Sequence, residues 1–222
     1  MNDIERRPES TYGKKIFFED RIFHVFNGVY EPAEDTFLLA ENLQVKHSDV
    51  VLEIGCGCGI LSILSAFKAL RVVAVDINPY ATVCTKLNAK DNGVSEKIDV
   101  LQGDLFGPLR ENPLFDLVIF NAPYLPTEKD ELRDWIDYAW AGGREGRKQI
   151  DRFILSVSQH LKPGGRLLLV QSTLSNVNET MTKLQKHGFI AKIIGERKVA
   201  FETITLIKAE KPREIRQKPQ NF

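Results

Sequence analysis

The tetrapeptide Asn121-Ala122-Pro123-Tyr124 contains the groups needed to hold a planar NH₂ group in one orientation. The side-chain oxygen of Asn121 can accept one N–H, and the main-chain carbonyl of Ala122 can accept the other. Pro123 restricts the residue before it to an extended backbone, which helps to aim that carbonyl, and Tyr124 offers a flat ring for stacking. Positioning alone can supply an effective molarity of roughly 10⁵–10⁸ M. We therefore expect these four residues to form a catalytic acceptor site for an amide or amine nitrogen.

A glycine-rich segment, Glu53-Ile54-Gly55-Cys56-Gly57-Cys58-Gly59, lies upstream and follows an apolar run. Glycines at a strand-to-helix turn let the backbone approach a ligand closely, and the first N–H groups of a helix favour electron-rich atoms. The spacing G-x-G-x-G differs from the dinucleotide fingerprint G-x-G-x-x-G. The carboxylate of Glu53 would repel a pyrophosphate but suits a cationic amino group. These features predict S-adenosyl-L-methionine as the cofactor, with Glu53, Gly55 and Gly57 in contact with it.

Two further acidic residues follow the next two predicted strands. Asp76 is placed to accept hydrogen bonds from ribose hydroxyls. Asp104 is placed to accept from an adenine amino group, and Leu105 to pack on the adenine ring. The alternative is that both aspartates only cap helices, where Asp is common. Because the carboxyl ends of parallel strands meet at one edge, the order of the set favours a single cofactor crevice.

Apolar runs alternate with amphipathic segments from Val50 onward, which is typical of a doubly wound α/β sheet. A helix stripe runs from Ile150 to Leu161 with a period of 3.6 residues, and Pro163-Gly164-Gly165 is expected to end that helix. The last two strands are separated by too few residues for a crossover and should pair antiparallel. The pattern predicts a seven-stranded, mostly parallel sheet with strands at Val50–Ile54, Arg71–Val75, Ile98–Leu101, Phe115–Phe120, Arg166–Gln171, Ile190–Glu196 and Ala200–Ile207.

The predicted organisation is an N-terminal arm over residues 1–25, a methyltransferase domain over 26–208 and a polar, disordered tail over 209–222. The arm contains Arg6, Arg7 and two short apolar stretches, and part of it should dock onto the domain.

The composition restricts the classes of partner. Thirty basic residues balance thirty acidic ones, which argues against the general basic field of a duplex-binding protein. The sequence shows no secretory signal and no membrane-spanning apolar stretch, and an odd number of cysteines favours reduced thiols in the cytoplasm. We expect no metal site, because Cys56 and Cys58 supply too few ligands. The histidines are scattered along the sequence, and most of them are expected at the surface: His24, His47, His160 and His187.

The acceptor loop resembles the (D/N)-P-P-(Y/F/W) motif of amino-group methyltransferases, with Ala122 where that pattern usually has proline. Three further segments extend the resemblance: Val29–Phe37, Ala139–Arg147 and Asp151–Phe153. With these motifs, the chain is similar to the HemK-type protein-glutamine methyltransferases from about Val29 to Ile207. Bacterial members of this family carry a helical N-terminal domain, which is not recognisable in this sequence. This favours the archaeal and eukaryotic branch. The resemblance implies a Rossmann-like class I methyltransferase fold.

The resemblance also implies a substrate, a partner and a set of contacts. The substrate is the glutamine of the Gly-Gly-Gln motif in a class 1 translation release factor, methylated on N5. The partner is a small zinc-binding activator subunit, for which Ile98–Leu101 is the candidate edge strand. The implied cofactor contacts are Thr36, Glu53, Gly55, Asp76, Asp104, Leu105 and Asn121.

Two other functions remain open at this point. A nucleic-acid methyltransferase acting on adenine N6 or guanine N2 shares the acceptor motif, but the chain has no interleaving of aromatic and basic residues. A cofactor-binding scaffold without activity does not need Asn121 and Tyr124. The alternative for the acceptor loop itself is an ordinary proline-rich surface turn, and the position of the loop beside the predicted cofactor crevice argues against it.

Overall fold

A seven-stranded sheet forms the centre of the chain, which a computed structural model describes over residues 12–112, 114–128 and 133–213. Its order is β5-β4-β3-β6-β7-β9-β8, and β9 alone runs antiparallel to its neighbours. The predicted α/β doubly wound sheet with one reversed strand is confirmed. The strands are β3 (Val50–Ile54), β4 (Arg71–Asp76), β5 (Ile98–Gln102), β6 (Phe115–Asn121), β7 (Leu161–Ser172), β8 (Ile190–Lys198) and β9 (Thr203–Glu210).

The central strands are apolar because helices cover both faces of the sheet. Val51 and Leu52 of β3 and Leu117, Val118 and Ile119 of β6 are each fully buried. The helices are α1 (Glu34–Glu41), α2 (Ile60–Ala66), α3 (Pro79–Asp91), α4 (Lys148–His160) and α5 (Val177–Lys186). No helix in the described ranges is both long and apolar enough to cross a bilayer.

Local sequence signals set the ends of α3. The side chain of Asn78 accepts from the N–H of Tyr80 and caps the helix, and Pro79 occupies the first turn, where its missing N–H costs nothing. The helix stops at Asn92 and Gly93, an Asn-Gly pair typical of helix ends, and Gly93 adopts a left-handed φ of 71°.

The prediction for the Pro163-Gly164-Gly165 segment was wrong in its details. Helix α4 already ends at His160, and β7 starts at Leu161 rather than Arg166. The register with β6 shifts between the pairs Phe115–Leu161 and Leu117–Arg166, so residues 162–165 form an irregular part of the strand. Lys211 pairs with Gly164 and Gly165 through main-chain bonds of 2.9 and 2.8 Å, and these bonds keep the segment in the sheet.

The last strand also departs from its predicted bounds. Strand β9 begins at Thr203 rather than Ala200, because residues 199–202 form the turn, and it continues to Glu210. The predicted tail from 209 therefore starts inside the sheet, while its residues 214–222 lie outside the described residues.

A two-stranded hairpin precedes the sheet, formed by β1 (Tyr12–Phe18) and β2 (Arg21–Phe26). Asn88 of α3 holds it: Oδ1 accepts from the N–H of His24 at 2.8 Å, and Nδ2 donates to the carbonyls of His24 at 2.7 Å and Cys58 at 2.8 Å. The side chains of Phe23 and Phe26, both in β2, are buried. Residues 1–11 of the predicted arm, including Arg6 and Arg7, lie outside the described residues.

Replacing Asn88 by alanine should lower the free energy of unfolding by about 3 kcal/mol. The variant removes three hydrogen bonds to main-chain groups, each worth about 0.5–1.5 kcal/mol. Equilibrium urea denaturation measures the loss. Asn92→Ala is the control, because that side chain bonds to Ile22 at an exposed position; equal losses in the two variants would contradict the role of Asn88.

Candidate active site

An open cavity of about 960 Å³, a volume that includes solvent at its mouth, lies at the carboxyl ends of β3, β4, β5 and β6. The chain passes from β3 outward to β4 and β5 and then returns to β6 on the other side of β3. Ligands of open α/β sheets bind at such a reversal of strand order. Nine of the eleven predicted site residues line the cavity: Thr36, Glu53, Gly55, Gly57, Asp76, Asp104, Leu105, Asn121 and Pro123.

The glycine loop connects β3 to α2 in a conformation that suits glycine. Gly55, Gly57 and Gly59 have left-handed φ angles of 69°, 55° and 85°, which L side chains rarely adopt. At Gly59 a Cβ atom would also lie 2.8 Å from the side chain of Thr85. The backbone of this loop is therefore exposed to the cavity without side chains at Gly55 and Gly57.

Asp76 fastens the glycine loop to the end of β4. Its carboxylate accepts from the N–H of Gly57 and from the N–H of Asn78, each at 2.8 Å. Burial raises the pKa of Asp76. The helix cap of α3 is Asn78 rather than Asp76, so simple capping does not account for this carboxylate.

Glu53 is a buried carboxylate on the floor of the cavity. It accepts a hydrogen bond from the hydroxyl of Ser62 in α2. Burial raises the pKa of Glu53 from its ordinary value near 4.5 to about 8, and the nearby charge of Asp76 adds to the effect. A buried carboxylate without a cationic partner is costly, so this position favours a cationic group in the cavity.

Asp104 and Leu105 form an exposed rim. The carboxylate of Asp104 forms a bidentate ion pair with the guanidinium of Arg152 in α4. The two N···O distances are 2.8 and 3.1 Å. The residues after it form turns rather than a helix, so Asp104 is not a helix cap. Leu105 has a left-handed φ of 49°, which turns the chain at the rim.

Asn121 ends β6 and faces the cavity. Its Nδ2 donates to the hydroxyl of Thr36 at 3.2 Å. Its Oδ1 is buried and has no hydrogen-bond partner within the described part of the chain. A buried acceptor without a donor is rare in folded proteins, which marks this oxygen as a point of contact for a ligand.

The other two residues of the acceptor loop do not line the cavity. Ala122 is buried, and its N–H donates to the carbonyl of Val170 at 3.3 Å. Tyr124 is only 8% exposed, and its hydroxyl donates to Asp35 at 3.3 Å. The ring that was expected to stack on the acceptor therefore lies behind the wall formed by Asn121 and Pro123.

A second loop holds the acceptor loop in place. The N–H of Leu125 donates to Trp140, and the N–H of Gly142 donates back to Leu125, at 3.0 and 2.8 Å. A Cβ at Gly146 would lie 2.3 Å from the carbonyl oxygen of Tyr124. Arg147, which is 4% exposed, holds this loop against the turn after β7 and against α5 through bonds to Ser175, Asn176 and Thr180.

Sequence reasoning missed several residues at or behind the site. Tyr30, Trp135 and Tyr138 contribute aromatic surface to the cavity, and Asp35 is buried behind Thr36. The signal was present for Tyr30 and Asp35, since both lie in the segment from Val29 to Phe37. No spacing rule assigned them a role, because Asp35 reaches the acceptor loop through Tyr124, which lies 89 positions away in the chain.

The histidines differ partly from expectation. His160 is buried, and its ring stacks on Phe106 at 4.5 Å, although most of the four were expected at the surface. Within residues 12–112, 114–128 and 133–213, no group of three or more His, Cys, Asp or Glu side chains could hold a metal ion. All three cysteines are buried and free.

Comparisons with known proteins place the chain among methyltransferases. The model of the methyltransferase small domain matches residues 25–136. A Methanocaldococcus jannaschii protein named as a protein N5-glutamine methyltransferase is 46% identical over 82% of this chain and 91% of its own length. The human methyltransferase HEMK2 is 35% identical over 84% of this chain and 91% of its own.

A solved structure with a similar fold is that of the E. cuniculi Mtq2–Trm112 complex, which is described as responsible for the methylation of the eRF1 translation termination factor. The match has a TM-score of 0.61 and 28% identity, and it covers 83% of this chain and 99% of the other.

The raised pKa of Glu53 predicts a pH dependence of stability. Between about pH 4.5 and pH 8 the folded protein keeps this proton while the unfolded chain has lost it. Stability should therefore fall as the pH rises through this window, by up to about 1.4 kcal/mol per pH unit. Glu53→Gln should flatten that slope in urea denaturation at several pH values, whereas Glu145→Gln, at an exposed position, should not. Parallel slopes for wild type and Glu53→Gln would contradict the assignment.

Proposed function

The chain belongs to the HemK-type family of protein-(glutamine N5) methyltransferases, and we propose that its substrate is the glutamine of the Gly-Gly-Gln motif in a class 1 translation release factor. The buried and unpartnered Oδ1 of Asn121 is the observation that supports this most strongly. It lies beside the glycine loop and requires an N–H donor, which a glutamine amide provides. One relative is named as a protein N5-glutamine methyltransferase and another as the catalytic subunit of an eRF1 methyltransferase, which supports this substrate.

The proposed cofactor is S-adenosyl-L-methionine, and the residues of the cavity fit it. The left-handed Gly55 and Gly57 leave room for close approach of the ligand. Glu53 suits the cationic amino group, and Asp76 is placed for the ribose hydroxyls. When bound, the cofactor supplies an electrophilic methyl group. Asp104 and Leu105 remain the proposed contacts for adenine, with Arg152 competing for the same carboxylate.

The chain's contribution to catalysis is positioning of the acceptor nitrogen. Asn121 would accept one amide N–H through Oδ1, and the carbonyl of Ala122 would accept the other. Pro123 forms part of the wall beside them. Tyr124 acts in this arrangement from behind, by holding the loop through its bond to Asp35. A strong base is not required, because the nitrogen becomes more acidic once it carries the methyl group.

We place a small zinc-binding activator subunit along β5. This strand lies at one edge of the sheet, next to β4 alone. Edge strands present unpaired main-chain groups that a partner strand can use. The E. cuniculi relative was solved as a complex with Trm112, which supports a partner of this kind. We also place the reaction in the cytoplasm, where three free thiols would remain reduced.

The substrate is tested by transfer of a labelled methyl group from S-adenosyl-L-methionine. The acceptors are a class 1 release factor, the same factor with alanine in place of the glutamine of Gly-Gly-Gln, and bare RNA or DNA. Label should enter the first acceptor alone. Incorporation into nucleic acid, or equal labelling of the alanine variant, would replace the proposed substrate with the alternative of an adenine or guanine acceptor.

Asn121→Ala should reduce turnover by at least about 100-fold, because a positioned transition-state hydrogen bond is typically worth about 2.7–4 kcal/mol. Cofactor affinity should change little, since the lost oxygen serves the acceptor. Single-turnover transfer and calorimetry measure the two quantities separately. Asn178→Ala, at an exposed position of α5, is the control and should behave like wild type. Unchanged turnover in Asn121→Ala would remove the acceptor role.

Asp76→Ala should weaken cofactor binding by about 1–3 kcal/mol, the usual cost of losing hydrogen bonds to a charged group. Part of the loss comes from the glycine loop, which no longer has its bond between Gly57 and Asp76. Calorimetry with S-adenosyl-L-methionine measures the affinity. Asp20→Ala, at an exposed position of the β1–β2 turn, should have no effect, and an unchanged affinity in Asp76→Ala would show that the ribose is placed elsewhere.

A further inference from the structure

Asp35 is a buried carboxylate surrounded by hydrogen-bond donors. It lies in the first turn of α1 and is 4% exposed. The hydroxyl of Tyr30 lies 3.0 and 3.2 Å from its two oxygens, and the hydroxyl of Tyr124 lies 3.3 Å from Oδ2. The main-chain N–H and the hydroxyl of Thr36 both donate to Oδ1, the hydroxyl at 3.1 Å. Only the bond to Tyr124 has entered the proposed function so far, and Asp35 itself has no assigned role.

The direction of the bonds around Thr36 follows from these contacts. A main-chain N–H can only donate, so Oδ1 of Asp35 is the acceptor in the bond from Thr36. The hydroxyl of Thr36 has a single proton, which goes to Oδ1. It can therefore offer only a lone pair to its other neighbour, the side-chain amide of Asn121 at 3.2 Å.

The amide of Asn121 must consequently turn its NH₂ towards Thr36. The reverse orientation would set two oxygens face to face at about the same distance with no proton between them, at a cost of roughly 1–3 kcal/mol. The hydrogen-bond pattern therefore fixes the amide orientation on its own, independently of how the two ends of the side chain are assigned.

From this geometry we infer that Asp35 and Thr36 form a relay that orients Asn121, so that its oxygen rather than its NH₂ faces the acceptor. Both are positioning residues. The inference rests on the proposed function and deepens it, because the relay makes the site select groups that donate hydrogen bonds. A glutamine amide can donate to the Oδ1 of Asn121, whereas the carboxylate of a glutamate would place acceptor against acceptor.

The same carboxylate fixes both ends of the acceptor loop. Asp35 reaches Asn121 through Thr36 at one end and bonds directly to Tyr124 at the other. The segment between them carries Ala122 in place of the proline usual in the family pattern. The relay therefore supplies rigidity to a loop that has one restricting residue fewer.

Thr36→Val tests the relay, because valine keeps the shape of threonine and removes the hydroxyl. Turnover with a release factor should fall at least about 10-fold, while the KM for the factor should stay within about threefold of wild type. Thr36→Ser, which restores the hydroxyl, should recover most of the turnover. Thr205→Val makes the same change at a buried threonine of β9 whose hydroxyl has no partner among the described residues, and it should keep wild-type activity.

A second readout reports orientation without any turnover. The side-chain NH₂ resonances of Asn121 can be identified in ¹⁵N-asparagine-labelled protein by their loss in Asn121→Ala. Their hydrogen exchange should be slow in wild type and in Thr36→Ser, and faster in Thr36→Val, where the bond to the hydroxyl is absent. Urea denaturation of each variant establishes that it is folded.

The outcomes separate the relay from the proposed function. Wild-type turnover and unchanged exchange in Thr36→Val would overturn the relay while leaving the substrate assignment intact. Loss of turnover in Thr36→Ser equal to that in Thr36→Val would also overturn it, since shape rather than the hydroxyl would then matter. A wild-type protein that does not label the release factor would refute the proposed function, and the exchange measurement would still decide the relay.

Discussion

The parallel pairing of β3 with β6 is the constraint on which the site depends. Parallel strands end at the same edge of a sheet, so the loop after β3 and the loop after β6 emerge side by side. The first carries the glycines that approach a ligand, and the second carries Asn121. The chain leaves β3 towards one side of the sheet and returns on the other, which opens a crevice between the following loops. The apolar sequences of both strands, buried on two faces, hold this edge rigid.

Desolvated carboxylates give the crevice its chemical character. Glu53, Asp76 and Asp35 are all buried, although burying a charge is costly unless donors surround it. Asp76 and Asp35 are satisfied by main-chain N–H groups and hydroxyls. Glu53 accepts hydrogen bonds from Ser62 and has no cationic partner among the described residues, and burial raises its pKa. The site thus combines two carboxylates that organise loops with one that favours a cationic ligand.

Support behind the acceptor loop comes from groups that never reach the cavity. The segment after Tyr124 pairs with the loop around Trp140 and Gly142, and the buried Arg147 anchors that loop to the turn after β7 and to α5. A loop with alanine rather than proline at position 122 would otherwise have more conformational freedom. Such backing is expected where catalysis depends on orientation, because small misplacements of the reacting groups are costly.

The sequence by itself determined the order of the elements and most of the cavity wall. The glycine spacing, Glu53, Asp76 and Asn121 could be recognised because each lies within a few residues of a strand end, where local pattern and backbone chemistry suffice. Local signals also fixed the stop of α3 at Asn92 and Gly93. They failed at Pro163-Gly164-Gly165, because Lys211 pairs with that segment and draws it into β7.

Only the tertiary structure decided which side chains face one another. Asp35 meets Tyr124 across 89 positions of the chain, and Thr36 meets Asn121 across 85. The ring of Tyr124 consequently lies behind the cavity rather than in it, and His160 is buried against Phe106. Residue types show which groups can donate or accept a hydrogen bond, but distances and directions between distant segments are set by the packing of helices on the sheet.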